Sequence, residues 1–339
     1  MLSLVTGASG FLGRYVVEQL VARGDRVRAF VRRPDARLQK LGVEIVLGDL
    51  IDRQKVEAAC AQVEAVFHIG GKAGYWGPWS EYLNANVLGT AHVISGCQRH
   101  QVRRLIYTSS PSVTFAGADQ CDLDESAPYP ERWLSPYPQS KAIAEQAVLL
   151  ANGEAGVLTC ALRPHLIWGP GDRHLIPRLI ARAQSGLLRR VGTGQNRVDT
   201  TYVENAAIAH LQAADALRPG STVAGSAYFI SQGEPVNCWA WINAVLSLVG
   251  LPPVKKSISS RLAYLAGASL ESIYKLFRLH GEPPMTRFLA AQLSRSHYYR
   301  IDAARRDFGF EPQITTDEGM RRLQASLLLG TADPRAGHS

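Results

Sequence analysis

The run Leu2-Ser-Leu-Val-Thr-Gly-Ala-Ser-Gly-Phe-Leu-Gly13 constrains the fold of this chain more than any other stretch. A short apolar strand enters glycines at 7, 10 and 13, and Tyr15-Val-Val-Glu-Gln-Leu-Val21 continues at helical spacing. Missing side chains let backbone approach a ligand, while the orphan N–H groups and dipole of the following helix favour an anion. The spacing is Gly-x-x-Gly-x-x-Gly rather than Gly-x-Gly-x-x-Gly, so context carries the assignment. Gly24-Asp25 and a second apolar run at 27–31 supply it, completing a βαβ unit. This unit predicts a dinucleotide site in which Gly7, Ser9, Gly10, Phe11, Leu12 and Gly13 surround the pyrophosphate.

The end of the second strand bears on which dinucleotide. An acid there would take the ribose 2′-hydroxyl, whereas an arginine accommodates a 2′-phosphate. The chain has Val31-Arg32-Arg33 and no acid, so the expected cofactor is NADP(H), with Arg32 on the phosphate. Solvated turn residues are the alternative for both arginines.

Apolar runs at 2–6, 27–31, 43–47, 65–69, 104–109 and 157–162 alternate with amphipathic helical patterns. Such alternation predicts an α/β fold with a doubly wound parallel sheet covered on both faces, here a dinucleotide-binding domain over 1–165. Beyond Trp168-Gly-Pro-Gly-Asp172 the pattern loosens into helices at 174–185, 203–216, 239–249 and 286–294 and a late strand at 227–231. Residues 166–330 are expected to form a smaller, mostly helical substrate-binding lobe over the carboxyl ends of the strands, and 331–339 a disordered tail.

Composition excludes several classes of function. The net charge is +8, yet the basic residues are dispersed without interleaved aromatics, which argues against a nucleic-acid groove. Five scattered cysteines without a Cys-x-x-Cys pair point to a reducing compartment, and nine histidines without ligand spacing predict no metal. A strand starting at residue 2 leaves no room for a signal peptide, so the expected address is the cytoplasm. Within 258–279, Ile258, Leu262, Leu265, Ile273 and Leu276 share a helical face interrupted by charges, which excludes a simple membrane span. A helix packed on its own domain, a lid over an apolar substrate and shallow docking on a membrane surface all stay open for it.

Tyr137-Pro-Gln-Ser-Lys141 sets a phenol and an ammonium four residues apart on one face of a helix whose start is marked by Pro136 and Pro138. A nearby cation favours a phenolate, so Lys141 is expected to bring Tyr137 into range as an acid/base and to hold the nicotinamide ribose. The fifth strand ends in Thr108-Ser-Ser110, where a hydroxyl can donate to a substrate oxygen, and Ser110 is the choice. Reduction would pass the Tyr137 proton to a carbonyl oxygen as hydride arrives. A redox-sensing module without catalysis would have no need of such a proton donor.

Together with Gly48-Asp-Leu50, His68-Ile-Gly-Gly71, Asn86-Val-Leu-Gly-Thr90 and Arg163-Pro-His-Leu-Ile-Trp-Gly-Pro-Gly171, these motifs resemble an extended short-chain dehydrogenase/reductase with its Rossmann-like domain. The resemblance implies that Asp49 and Leu50 flank the adenine, that Gly70, Gly71, Lys72 and Pro164 join the cofactor-binding residues, and that Ser110, Tyr137 and Lys141 are catalytic. His-x-Gly-Gly replaces the His-x-Ala-Ala of many relatives, implying a looser cofactor-lining loop. Tyr107-Thr-Ser-Ser110 and the stretch from Tyr137 to Val148 are similar to the 3β-hydroxysteroid dehydrogenase branch. Lys72-Ala-Gly-Tyr-Trp-Gly77, Tyr228-Phe-Ile-Ser-Gln-Gly-Glu-Pro235 and Ala304-Arg-Arg-Asp-Phe-Gly309 resemble the bacterial 2-alkyl-3-oxoalkanoate reductases of long-chain olefin biosynthesis.

That resemblance implies a small-molecule long-chain β-keto acid as substrate and association with other olefin-pathway enzymes. Tyr75, Trp76, Trp79 and Tyr82 are expected to wall an apolar pocket, with Arg173, His174 or Arg178 meeting the carboxylate. Loop packing and surface charges are the plainer alternatives. A 3β-hydroxysteroid or sterol dehydrogenase is the competing activity. A homo-oligomer stays open.

Overall fold

The computed structural model describes residues 1–331, so the expected tail lies outside the described residues but for its first position. Seven strands, labelled in chain order, build one parallel sheet: β1 (Leu2–Thr6), β2 (Arg26–Val31), β3 (Glu44–Leu47), β4 (Ala65–His68), β5 (Arg104–Thr108), β6 (Leu158–Pro164) and β7 (Ser226–Ile230). Their spatial order is β7-β6-β5-β4-β1-β2-β3. The order reverses between β1 and β4, and a crevice opens at such a switch point outside the carboxyl ends of the strands.

Strand periodicity divides the apolar residues between two layers. Leu4, Val66, Leu105 and Ala161 face one cluster with Val56, Val93, Ala144 and Val148 from covering helices. Their neighbours Val5, Phe67, Ile106 and Leu162 face the other, with Val16, Val17 and Leu20 of the Phe11–Ala22 helix and Val203, Ala206 and Ala207 of the Val203–Ala216 helix. Both layers are fully packed, which accounts for the near-continuous apolar strands. The fold is therefore the Rossmann-like one that the sequence implies.

After residue 165 the chain returns to this sheet. Ser226–Ile230 pairs in parallel with β6, in register from Ser226 opposite Cys160 to Ile230 opposite Pro164. The late strand that the periodicity shows at 227–231 is thus the seventh strand of the main sheet. A third cluster gathers Trp168, Tyr202, Trp241, Ile242 and Val245 around the Leu175–Gln184 and Cys238–Ser247 helices. A small four-stranded sheet ties Gln120–Leu123 to His297–Tyr299. These parts stand beyond the strand ends and close one side of the crevice, since Leu166, Ile167, Arg173 and His174 line it.

Candidate active site

A cleft of about 990 Å³ runs along the carboxyl ends of β1, β2, β4 and β5. Its floor is the glycine turn. Gly7 takes a φ of +68°, and a Cβ there would stand 2.7 Å from the Gly70 Cα, so only glycine lets the ends of β1 and β4 meet. A side chain on Gly13 would collide with the Gly7 carbonyl oxygen. The Phe11–Ala22 helix begins from Gly10 with no side-chain cap and no acid in its first turn, leaving its N–H groups directed to an anion.

All residues expected along the cofactor except Lys141 line this cleft: Gly7, Ser9, Gly10, Phe11, Leu12, Gly13, Arg32, Asp49, Leu50, Gly70, Gly71, Lys72, Tyr137 and Pro164. Ser110 joins them, and Arg33 does not. Arg32 is exposed at the end of β2, while the carboxylate that follows, the half-exposed Asp35, accepts the Arg37 and Leu38 backbone N–H groups and lines a small pocket beside Ser9 and Gly10. Lys72 pairs with Glu81 at 2.7 Å.

The Pro136–Leu150 helix starts on Ser135, whose hydroxyl accepts the Tyr137 N–H and donates to the Tyr75 carbonyl at 2.7 Å. This cap aims Tyr137 into the cleft. Ser110, at the tip of β5, accepts the Ser112 N–H and has its hydroxyl 2.9 Å from that of Ser112. Burial raises the Tyr137 phenol above its ordinary pKa, and a hydrogen bond from Ser110 pulls the other way. The phenol stays protonated through the neutral range, which suits a proton donor.

Lys141 departs from its expected position. Its Nζ is buried beneath the cleft, donates to the Thr108 carbonyl at 2.5 Å and lies 4.1 Å above the centre of the Tyr107 ring. Burial drives the ammonium down to about 7, against the pull of Glu145 one turn on. No hydrogen bond joins Lys141 to Tyr137 among the described residues, so the expected depression of the phenol by a contacting cation is not what this geometry produces. Helical spacing put the two on one face; the free carbonyl at the end of β5 captured the longer side chain.

The expected substrate residues separate into two groups. Arg173 and His174 line the cleft, and Arg173 also faces a small pocket beside Ser9, Gly10, Arg14 and Arg37, on the phosphate side of the glycine turn. Tyr75, Trp76 and Arg178 pack behind the cleft lining instead. Arg178 donates to the Tyr75 hydroxyl at 2.6 Å and pairs with Glu282 at 2.7 Å, which neutralises it as a carboxylate partner. Trp79 is exposed and Tyr82 is buried, its hydroxyl on the Gly74 and Trp76 carbonyls.

The 3-beta hydroxysteroid dehydrogenase/isomerase family model matches residues 4–259. The chain belongs to this family. It is accordingly an oxidoreductase acting between an alcohol and a carbonyl. A 2-alkyl-3-oxoalkanoate reductase of Stenotrophomonas maltophilia is 52% identical over 95% of this chain and 98% of its own length. One from Shewanella oneidensis is 46% identical over 96% and 86%, and a 3-beta-hydroxysteroid dehydrogenase of Mycolicibacterium neoaurum is 34% identical over 94% and 88%. The solved structure of MoeE5 in complex with UDP-glucose and NAD superposes with a TM-score of 0.76 at 26% identity, covering 98% of this chain and 100% of that one.

Two residues of this family member escaped reading by type. Asn86, on a π-helical stretch, Leu83–Leu88, accepts the Lys72 N–H at 2.6 Å and donates to the Lys72 carbonyl and the Ser140 hydroxyl. It therefore ties the loop after β4 to the helix that carries Tyr137. His68, fully buried, sits between the Thr6 hydroxyl at 2.7 Å and the Thr90 hydroxyl at 2.9 Å, joining β1 to β4 at the switch point. The motif at 86–90 was visible, but its bonds reach 14 and 54 residues away.

Proposed function

We propose that this enzyme reduces a long-chain 2-alkyl-3-oxoalkanoate to the 2-alkyl-3-hydroxyalkanoate with NADPH, as a step of olefin hydrocarbon biosynthesis. The observation that carries the reading is 52% identity, end to end, with a reductase of that name. The sterol and hydroxysteroid dehydrogenases stand further off at 34–35%.

A nicotinamide dinucleotide fits the glycine cradle, the uncapped helix start and the cleft volume. Bound there, it supplies the hydride. The turn Gly7–Gly13 takes the pyrophosphate, Asp49 and Leu50 the adenine side, Arg32 the 2′-phosphate, and Gly70, Gly71, Lys72 and Pro164 the length of the molecule. Arg173 is assigned to the phosphates rather than to the substrate, because it faces the glycine turn. Tyr137 passes its proton to the ketone oxygen, and Ser110 donates a hydrogen bond to that oxygen as charge builds on it. Lys141 sets the potential beneath the site from its place on the Thr108 carbonyl. His174 is the remaining cleft-lining candidate for the substrate carboxylate.

The test is a panel of a 2-alkyl-3-keto acid, a 3-ketosteroid and a sugar nucleotide, each with NADPH and with NADH. Oxidation of NADPH with the keto acid is expected, and Arg32→Ala is expected to narrow the preference over NADH about tenfold or more. Turnover confined to the steroid, or an unchanged cofactor ratio in the variant, overturns the respective part.

A further inference from the structure

The Ser260–Leu276 helix is anchored along one side only. Ala263, Gly267 and Glu271 are buried, and the helix packs on the Arg287–Ser294 helix. A Cβ on Gly267 would stand 2.6 Å from the Thr286 carbonyl carbon, so the two backbones touch there. Glu271 accepts the Arg287 N–H at 2.7 Å and its guanidinium Nε at 2.8 Å.

The opposite side is apolar and faces water. Leu262, Leu265, Ile273 and Leu276 are exposed along it, continued by Phe277 and Leu279; Leu276 keeps 77% of its surface and Phe277 67%. A surface helix of a globular protein ordinarily turns polar residues outward. A contiguous exposed apolar patch marks an interaction site.

The charges around the patch are predominantly positive. Residues 255–282 contain Lys255, Lys256, Arg261, Lys275 and Arg278 against two carboxylates, Glu271, which is buried and paired with Arg287, and Glu282, which is paired with Arg178. The strand Ser257–Ile258 pairs with Arg190–Val191, which brings Arg189 and the 68%-exposed Leu187 alongside the start of the helix. At its other end Tyr274 meets the Trp76 ring edge-on at 6.3 Å, and the Lys275 Nζ stands 5.7 Å from that ring. Trp76 belongs to the loop whose Lys72 and Ala73 line the cleft. The patch thus reaches the back of the loop that lines the cleft.

We propose that this face docks the enzyme on an anionic membrane surface, with the leucines and Phe277 in the headgroup–acyl boundary and the cations on lipid phosphates. Charge decides between occupants: an isologous contact with a second copy would set these cations against themselves, whereas an anionic bilayer supplies both counter-charge and apolar depth. The docking surface holds whichever ketone the enzyme reduces.

Flotation of the full chain with vesicles of phosphatidylcholine, or of phosphatidylcholine mixed with phosphatidylglycerol, tests this. Binding is expected to the mixed vesicles, weakened by salt. The double variant Leu276→Ser/Phe277→Ser should bind about tenfold more weakly or worse, and neutralising Lys275 and Arg278 to Gln should cost roughly fivefold each. Both variants alter exposed side chains, and unchanged circular dichroism confirms that they fold. Absence of flotation with either vesicle, or binding indifferent to the double variant, overturns the proposal. A dimer seen by light scattering and dissolved by Leu276→Ser/Phe277→Ser would give the face to a second copy instead.

Discussion

At the scale of single residues, the site works through what burial does to two titratable groups. The Tyr137 phenol is held above its ordinary pKa, so it carries its proton at any neutral pH. Tyr137→Phe keeps the ring and removes that proton; ketone reduction should fall by about 10²–10⁴-fold while cofactor affinity, measured by fluorescence titration, changes little. Lys141 behaves in the opposite sense, because burial disfavours its charge and brings it to about 7. As pH rises through 7 the free enzyme loses this cation, and with it part of the attraction for an anionic cofactor. The kcat/KM for the cofactor should therefore decline above pH 7, and Lys141→Met should abolish that limb; a profile flat to pH 9 in the parent enzyme would show that Lys141 keeps its proton. Sequence spacing placed both side chains on one helix face, correctly as geometry. It could not reveal that the Thr108 carbonyl lay within reach of the longer one.

Among secondary-structure elements, what was legible depended on whether the signal was local. The glycine turn, the proline-marked start of the Pro136–Leu150 helix and the alternation of Leu4 with Val5 or Leu105 with Ile106 are written in neighbouring residues, and the structure has the elements they announce. The aromatic run after β4 had equally plain chemistry but no local marker of direction. Tyr75 is drawn toward Arg178 and Phe288, and Trp76 toward Tyr274, all from elements a hundred or more residues away. Asn86 shows the same limit. Its three hydrogen bonds hold the loop at Lys72 against the Tyr137 helix, and it is buried, so Asn86→Ala leaves the Lys72 N–H without its acceptor. The expected cost is about 1–3 kcal/mol in urea unfolding, with a raised KM for the cofactor and a smaller change in kcat, since the proton donor is untouched. Unchanged stability and KM would mean that the loop is held by the Lys72–Glu81 pair instead.

Across the whole molecule, four buried histidines stitch the layers together, and they set how the enzyme responds to acid. His68 joins β1 to β4, His210 joins β5 to the Val203–Ala216 helix through Thr108, and His165 at the end of β6 meets His297 of the small sheet at 2.6 Å. Burial lowers all four, His68 to about 3 and His210 to about 4, and the neighbouring His297 lowers His165 further, while backbone hydrogen bonds partly offset burial at His297. The unfolded chain takes up these protons near the ordinary value of about 6.5, where the folded chain does not, so stability falls as pH falls below that point. Asp199 acts in the other direction: burial raises it to about 6, so the folded state gains its proton first and is favoured as pH drops from there toward the ordinary carboxylate range. Four lowered imidazoles outweigh this one raised carboxylate, so the net effect is a loss of stability as pH falls below the ordinary histidine value. The urea midpoint, followed by tryptophan fluorescence and circular dichroism, is therefore expected to fall steadily as pH is lowered below about 6.5. His165→Asn should make that fall shallower by removing one of the protons that drives it. A urea midpoint unchanged between pH 7 and pH 4 would show that these rings take up protons equally in the folded and unfolded chain and do not set the acid response.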